Sequence, residues 1–299
     1  NGKTSVSWYL SQILYSNNIN VSYLGTIGEY YNGKKISNLD NTTPNICSLF
    51  KIAFHHCKKG SDNFIFEASS HGLEQGRIEG LPVNIGAITN ISRDHLDYHK
   101  NMKFYRKAKF KLLTEYLEEN GIAVINSKIH IPKKIKKILN NKSIKLITYG
   151  SLKSKVYIRK KNKNFLLFLN KKKYNLSLNL QNDYDITNFE CSISIAIGMG
   201  IKEKYIIKKI GNITRPPGRM EKCDNMNNKS KVFVDFAHTP DALKNILIST
   251  HKSLGKKPNL VFGCGGNRDK SKRILMGKIA NIYSQNTYIT DDNPRNEKP

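Results

Sequence analysis

The 299-residue chain is long enough for two domains with cores of their own. Fifty Lys+Arg against 23 Asp+Glu give a formal charge of +27, yet the densest stretch, Lys133 to Lys173, lacks the arginine and interleaved aromatics of a base-stacking surface, so no nucleic-acid partner is expected. Five cysteines (Cys47, Cys57, Cys191, Cys223, Cys264) without CxxC or His-paired spacing argue against a disulfide framework and point to a reducing, cytoplasmic setting, and with no apolar run near ~18 residues no membrane partner is expected.

The chain opens on Asn1-Gly2-Lys3-Thr4, which reads as the back end of a phosphate-binding loop. In such a loop backbone N–H groups cradle phosphates, the lysine reaches the terminal phosphates and the hydroxyl ligates Mg²⁺. Ser5 to Ser16 follows with Val6, Leu10, Ile13 and Leu14 on one helical face, as a helix starting at phosphates should. The front half of the loop does not precede Asn1 and there is no initiator Met, so the chain is expected to be an internal piece of a longer protein.

Short β-branched and aromatic runs then alternate with helical patterns, the signature of a parallel α/β sheet. Strands are expected at Asn20 to Leu24, Asn63 to Phe66, Ile85 to Thr89, Ile122 to Ile125 and Lys145 to Tyr149. The second delivers Glu67 and the third delivers NISRDHLDYH (Asn90 to His99), both at the strand-end edge where open α/β sheets bind ligands. A carboxylate there suits Mg²⁺, directly or through water. Zinc is not expected, because no third protein ligand stands at an established interval.

Lys155 to Leu180 changes to short, Lys-rich alternating segments, read as a peripheral antiparallel hairpin pair with a solvated charged face. Asp185 to Met199 is a helix pattern. Arg215-Pro216-Pro217-Gly218 makes a stiff connector to a second unit, with strands at Lys231 to Phe236, Asn259 to Phe262 and Tyr288 to Thr290. Gly263-Cys264-Gly265-Gly266 lacks GxGxxG spacing, so it implies a tight turn and no dinucleotide, and Cys264 has no base partner to make it a nucleophile.

NGKT, Asn41-Thr42-Thr43-Pro44, EASSHGL, TNISRDHLDYH, YRKAKF, RPPGRME, VDFAHTPDAL, FGCGGNRDKSKR and TDDNPRNE, in that order, resemble the Mur ligases. Within them the match is to the branch that adds 2,6-diaminopimelate. The resemblance runs from Asn1 to Pro299. It implies an α/β protein: a P-loop-type, mostly parallel sheet in a central ATP-binding domain over residues 1–214, then a partial Rossmann-like α/β amino-acid-binding domain over 215–299. It also implies an ATP- and Mg²⁺-dependent reaction in peptidoglycan precursor synthesis. The glutamyl carboxylate of UDP-N-acetylmuramoyl-L-Ala-D-Glu is phosphorylated, and the amine of meso-diaminopimelate attacks the acyl phosphate.

By that resemblance Asn1, Gly2, Lys3, Thr4, Asn188, Asp235 and His238 serve ATP, and Lys3, Lys109 and His95 act in catalysis. Thr4, Glu67, His95 and a carbamylated Lys109 help hold the metal. Asn41, Thr42, Thr43, Ser69, Gln75 and Arg77 line the muramoyl-dipeptide site, and Arg268, Asp292, Asn293, Pro294 and Arg295 the amino-acid site. Arg295 presents a rigid two-pronged donor to a carboxylate, which favours diaminopimelate over lysine. Where the family commonly has Phe-Asn, this chain has Tyr184-Asp185 ahead of Asn188, and an altered nucleotide affinity is expected from the exchange of an amide for a pure acceptor. The chain by itself is expected to be inactive, and the enzyme a monomer. Alternatives are a lysine-adding or folylpolyglutamate-type ligase, or a non-catalytic remnant or basic binding module.

Overall fold

The computed structural model describes residues 1–161, 164–178, 180, 182–223 and 230–298. Helix α1 (Lys3–Ser16) leaves Gly2, whose φ of 84° is a conformation glycine adopts without a Cβ penalty. The chain continues through β1 (Val21–Gly25), the hairpin of β2 (Gly28–Tyr31) and β3 (Lys34–Ser37), α2 (Ile46–Lys58) and β4 (Asn63–Phe66). Asn45 caps α2 by accepting from Ser48 N. The four strands form one sheet in the order β3–β2–β1–β4, with β1 and β4 parallel. A buried polar chain fastens the hairpin to α2: Glu29 meets His56 Nε2 at 2.6 Å, and His56 Nδ1 meets Ser22 Oγ at 2.8 Å.

Next come α3 (Ser70–Glu74), β5 (Val83–Ile88), α4 (Leu96–His99) and α5 (Met102–Lys111), which runs into a π-helical turn at Leu112–Tyr116. Then follow β6 (Leu117–Asn126), α6 (Lys133–Asn141), β7 (Lys145–Tyr149), β8 (Val156–Lys161), β9 (Asn164–Leu169) and β10 (Lys172–Leu176). These six strands form a second sheet in the order β10–β9–β8–β7–β6–β5, parallel from β5 to β8 and antiparallel beyond. The class is the expected α/β with a parallel centre, but the parallel strands are shared between two sheets. β4 and β5 face each other across a crevice of about 790 Å³ lined by Phe64, Phe66, Val83 and Ile85, with Lys3 and Glu67 also on its wall.

Residues 155–180 correct the sequence-based picture. They form three antiparallel strands and are not peripheral: Val156, Ile158, Phe165, Leu167, Leu169 and Leu176 are buried in the same cluster as α1 and α7 (Asp183–Gly198). The alternation was legible, but its apolar face seats on the main core, so the sheet is not peripheral. Of the segment read as hairpins with polar turns, residues 162–163 and 179 lie outside the described residues. Helix α7 is buried on nearly every side, wedged between α1 and the six-stranded sheet, and Ser192 and Ser194 satisfy their hydroxyls on carbonyls of the preceding turn.

After α8 (Glu203–Lys209), the connector leads to β11 (Glu221–Cys223), antiparallel to β12 (Val232–Val234). Helix α9 (Pro240–Leu254), β13 (Leu260–Phe262), α10 (Ser271–Tyr283) and β14 (Thr287–Ile289) complete the chain, β13 and β14 pairing in parallel over a small core of Leu243, Leu247 and Met276. No helix among the described residues is long and apolar enough to cross a membrane.

Candidate active site

The N terminus of α1 and the C-terminal ends of β1 and β4 converge. No side chain caps α1, so its first-turn N–H groups and dipole face outward as an anion seat. Thr4 Oγ1 donates to Glu67 Oε2 at 3.0 Å. Glu67, 2 % exposed, also accepts from Tyr23 OH at 2.6 Å, Thr26 N at 2.9 Å and Thr26 Oγ1 at 3.2 Å. A Cβ on Gly25 would stand 2.0 Å from Glu67 Oε1, so glycine there leaves the carboxylate its room. The Asn188 amide presses on the loop itself, within 2.4 Å of where a Cβ on Gly2 would stand. Thr89 Oγ1 and Asn90 Nδ2 hold Asn1 O from the end of β5.

Cations crowd this end. Burial, then repulsion from Lys3, pushes the Lys109 ammonium down to about 7, against the pull of Asp94. Arg219 NH2 stands 3.4 Å from Thr4 Oγ1, its guanidinium over the Phe236 ring at 5.3 Å. Arg219 was not singled out from sequence, although the RPPGRME motif contains it. Opposite, His95 is pushed down to about 3 by burial despite Asp94 at 3.4 Å, and it sits at φ 52°. Burial alone would raise the Asp94 carboxyl, but His95, His238 and Lys3 together hold it below its ordinary range.

Among the described residues no three His, Cys, Asp or Glu side chains group as a metal site. Of the expected metal set, Thr4 and Glu67 meet directly, while His95 and Lys109 lie on the Asp94 side. The two hard oxygens of Thr4 and Glu67, beside an uncapped helix start and surplus cations, fit a Mg²⁺ ion whose remaining ligands come from phosphates and water.

Thr43, 1 % exposed, is a hub: its hydroxyl donates to Glu67 O at 2.7 Å and accepts from Ser69 N at 2.9 Å. Ser69 caps α3 through Gly72 N. Arg77 NH1 donates to Thr43 O and Arg77 Nε to Gln75 Oε1, both at 2.8 Å. Thr42 Oγ1 lies 3.1 Å from Thr26 Oγ1, and Asn41 is exposed at the rim. These residues form one wall running from Glu67 outward.

In the second unit the Gly263–Gly266 turn and the Asp292–Arg295 turn are in close contact. Gly266 N donates to Asn293 O at 3.0 Å, Arg295 NH1 donates to Gly266 O at 2.6 Å, and a Cβ on Gly266 would stand 1.8 Å from Pro294 O. Asp235 is spent locally, accepting from Met220 N and Ala237 N, so it anchors the connector to the end of β12. Asp94, His95 and His238 share a cleft of about 230 Å³ with Arg268, Asp292 and Arg295.

Residues 1–196 match the Mur ligase middle domain, and residues 218–299 the glutamate ligase domain of Mur ligases. The chain belongs to the Mur ligase family. Over its whole length this Mur ligase chain is 39 % identical to the UDP-N-acetylmuramoyl-L-alanyl-D-glutamate–2,6-diaminopimelate ligase of Rickettsia typhi and 38 % identical to that of Alkaliphilus oremlandii, spanning 62 % of each. A solved ligase of the same name is 30 % identical with a TM-score of 0.70, again over 62 % of its length. MurF from Acinetobacter baumannii, 15 % identical with a TM-score of 0.73 and 62 % covered, shares the fold.

The Tyr184-Asp185 departure has a local reason in this Mur ligase. Asp185 Oδ2 lies 3.0 Å from Arg215 NH2, with side chains 4 % and 16 % exposed, so the carboxylate faces the connector arginine. Tyr184 OH accepts from Asn182 Nδ2 at 2.8 Å.

Proposed function

We propose that the protein containing this chain is a cytoplasmic, monomeric, ATP- and Mg²⁺-dependent ligase that joins meso-diaminopimelate to UDP-N-acetylmuramoyl-L-Ala-D-Glu. The observation that carries this reading is the shared cleft, in which Asp94, His95 and His238 from the phosphate end line the same space as Arg268, Asp292 and Arg295. Two activated partners can meet only if such a space joins their sites.

A carboxylate is a poor electrophile, so one of its oxygens must first bond to the γ-phosphorus of ATP while the bond to ADP breaks. Bringing two anions together demands cations, which Lys3, Arg219 and the α1 N terminus supply. Mg²⁺, when bound by Thr4, Glu67 and phosphate oxygens, contributes further charge neutralisation. His95, neutral at pH 7, can accept a hydrogen bond or ligate without adding charge. The amine of the incoming amino acid then forms the amide bond and phosphate leaves, Arg268 and Arg295 holding a carboxylate of that amino acid.

Lys109 supports a carbamate reading. An amine pushed down to about 7 is substantially neutral at that pH, and only the neutral amine adds CO₂, forming an N–C bond and releasing one proton. The product is an anion beside Lys3, where a bare ammonium is repelled.

The test is ADP release by the full-length protein with the muramoyl dipeptide and either diaminopimelate or lysine. Diaminopimelate is the expected substrate, and preference for lysine would refute the assignment. Arg295→Ala is expected to raise KM for diaminopimelate at least about tenfold, some 1.4 kcal/mol, while KM for ATP stays within about twofold. Equal loss of both would remove Arg295 from the amino-acid site.

A further inference from the structure

We propose that Tyr98 is a positioning residue for the acceptor substrate, holding Gln75, and through it Arg77, in the orientation that receives the muramoyl dipeptide. The inference rests on the function proposed above. Its basis is a continuous line of hydrogen bonds running away from the phosphate end. Gln75 Nε2 donates to Tyr98 OH at 3.2 Å, Arg77 Nε donates to Gln75 Oε1 at 2.8 Å, and Arg77 NH1 donates to Thr43 O at 2.8 Å. Gln75 and Arg77 belong to the segment after α3, whereas Tyr98 comes from α4 after the next strand, so Tyr98 is the point at which a second element braces the wall.

Gln75 is exposed and would otherwise sample several rotamers, leaving Arg77 Nε without a fixed partner. Tyr98 itself is held. Its ring lies 4.2 Å from that of His71 and 4.9 Å from that of His99, and His99 Nε2 is fixed on Ser70 Oγ at 3.0 Å. The backbone adds rigidity: His95 and Lys100, flanking α4, are both at positive φ, 52° and 64°. The hydroxyl is therefore presented from a stiff loop whose other end carries Asp94 and His95. One short segment thus faces the phosphate end with its first residues and the dipeptide wall with Tyr98.

The experiment is steady-state kinetics on the full-length protein carrying Tyr98→Phe, which keeps the ring contacts and removes only the hydroxyl. KM for the UDP-muramoyl dipeptide should rise about fivefold, the scale of one neutral hydrogen bond. The kcat, and KM for ATP and for the amino acid, should stay within about twofold. Tyr98→Phe combined with Gln75→Ala should be no worse than Gln75→Ala alone, because the hydroxyl acts through that amide. An unchanged dipeptide KM in Tyr98→Phe overturns the proposal, as does a parallel rise in KM for ATP, or additive effects in the double variant. Dipeptide-independent ADP release by the unmodified protein would instead overturn the functional reading, and this inference with it.

Discussion

Single buried groups govern how this chain responds to pH and to substitution. Glu190 in α7 is 2 % exposed and accepts from Ile158 N, and burial pushes its carboxyl up to about 8 against that bond and Lys128. The folded state keeps a proton that the unfolded chain gives up above about 4.5, so this group's contribution is full below that pH and is lost as pH rises towards 8. Glu190→Gln should therefore gain stability relative to the parent between pH 5 and pH 8, on the order of a few kcal/mol in urea denaturation at the two values. A constant difference between parent and variant would rule out titration of Glu190 as the cause. Asp185→Ala strands the mostly buried Arg215 guanidinium and should cost about 3 kcal/mol, with the nucleotide Kd unchanged, measured by denaturation and by calorimetric titration. A weakened Kd with unchanged stability would restore a direct nucleotide role to Asp185.

Among the elements, the tightest constraint is the contact of the 263–266 turn with the 292–295 turn. Any side chain at Gly266 must displace the Pro294 carbonyl, and Arg295 hangs from Gly266 O. Gly266→Ala should accordingly raise KM for the amino acid without changing KM for ATP, reproducing Arg295→Ala in direction through the backbone. Normal amino-acid kinetics in that variant would mean that the two turns separate at no functional cost. The sheets carry a different lesson. The crevice between β4 and β5 leaves Glu67 and the end of β5 to be aligned by side-chain bonds across the phosphate loop, Thr4 to Glu67 and Thr89 and Asn90 to Asn1, in addition to strand pairing.

The whole molecule depends on how its two parts meet. Their described contacts include polar ones: Arg93 NH2 to Ser271 Oγ at 2.9 Å and to Asp269 at 3.8 Å, Asn1 Nδ2 to Thr239 Oγ1 at 3.2 Å, Arg219 NH2 to Thr4 Oγ1 at 3.4 Å, and His238 to Asp94 at 3.9 Å. Contacts of this kind are screened by salt and permit relative motion. Small-angle scattering should give a larger radius of gyration at about 0.5 M than at about 0.05 M NaCl, the Debye length falling from about 14 Å to about 4 Å, and Mg-ATP should reverse the expansion. A radius indifferent to both salt and nucleotide would mean a rigid join.

Local pattern determined much of this protein by itself. β4 and β7 fall at Asn63–Phe66 and Lys145–Tyr149, as their alternation and flanking residues require, and the phosphate-loop remnant opens α1. Such features rest on forces acting within a few residues: side-chain period, β-branching and glycine's freedom at positive φ. The hairpin of β2 and β3 was not foreseen, because its hold on α2 comes from a histidine 27 residues from its glutamate partner. Nor could spacing reveal that Thr4 meets Glu67 across 63 residues, that Arg219 reaches Thr4 across 215, or that Asp185 is answered by Arg215. Only the tertiary structure decided these pairings. Their free energy depends on desolvation and on the convergence of distant strand ends, and neither is written in any local stretch of chain.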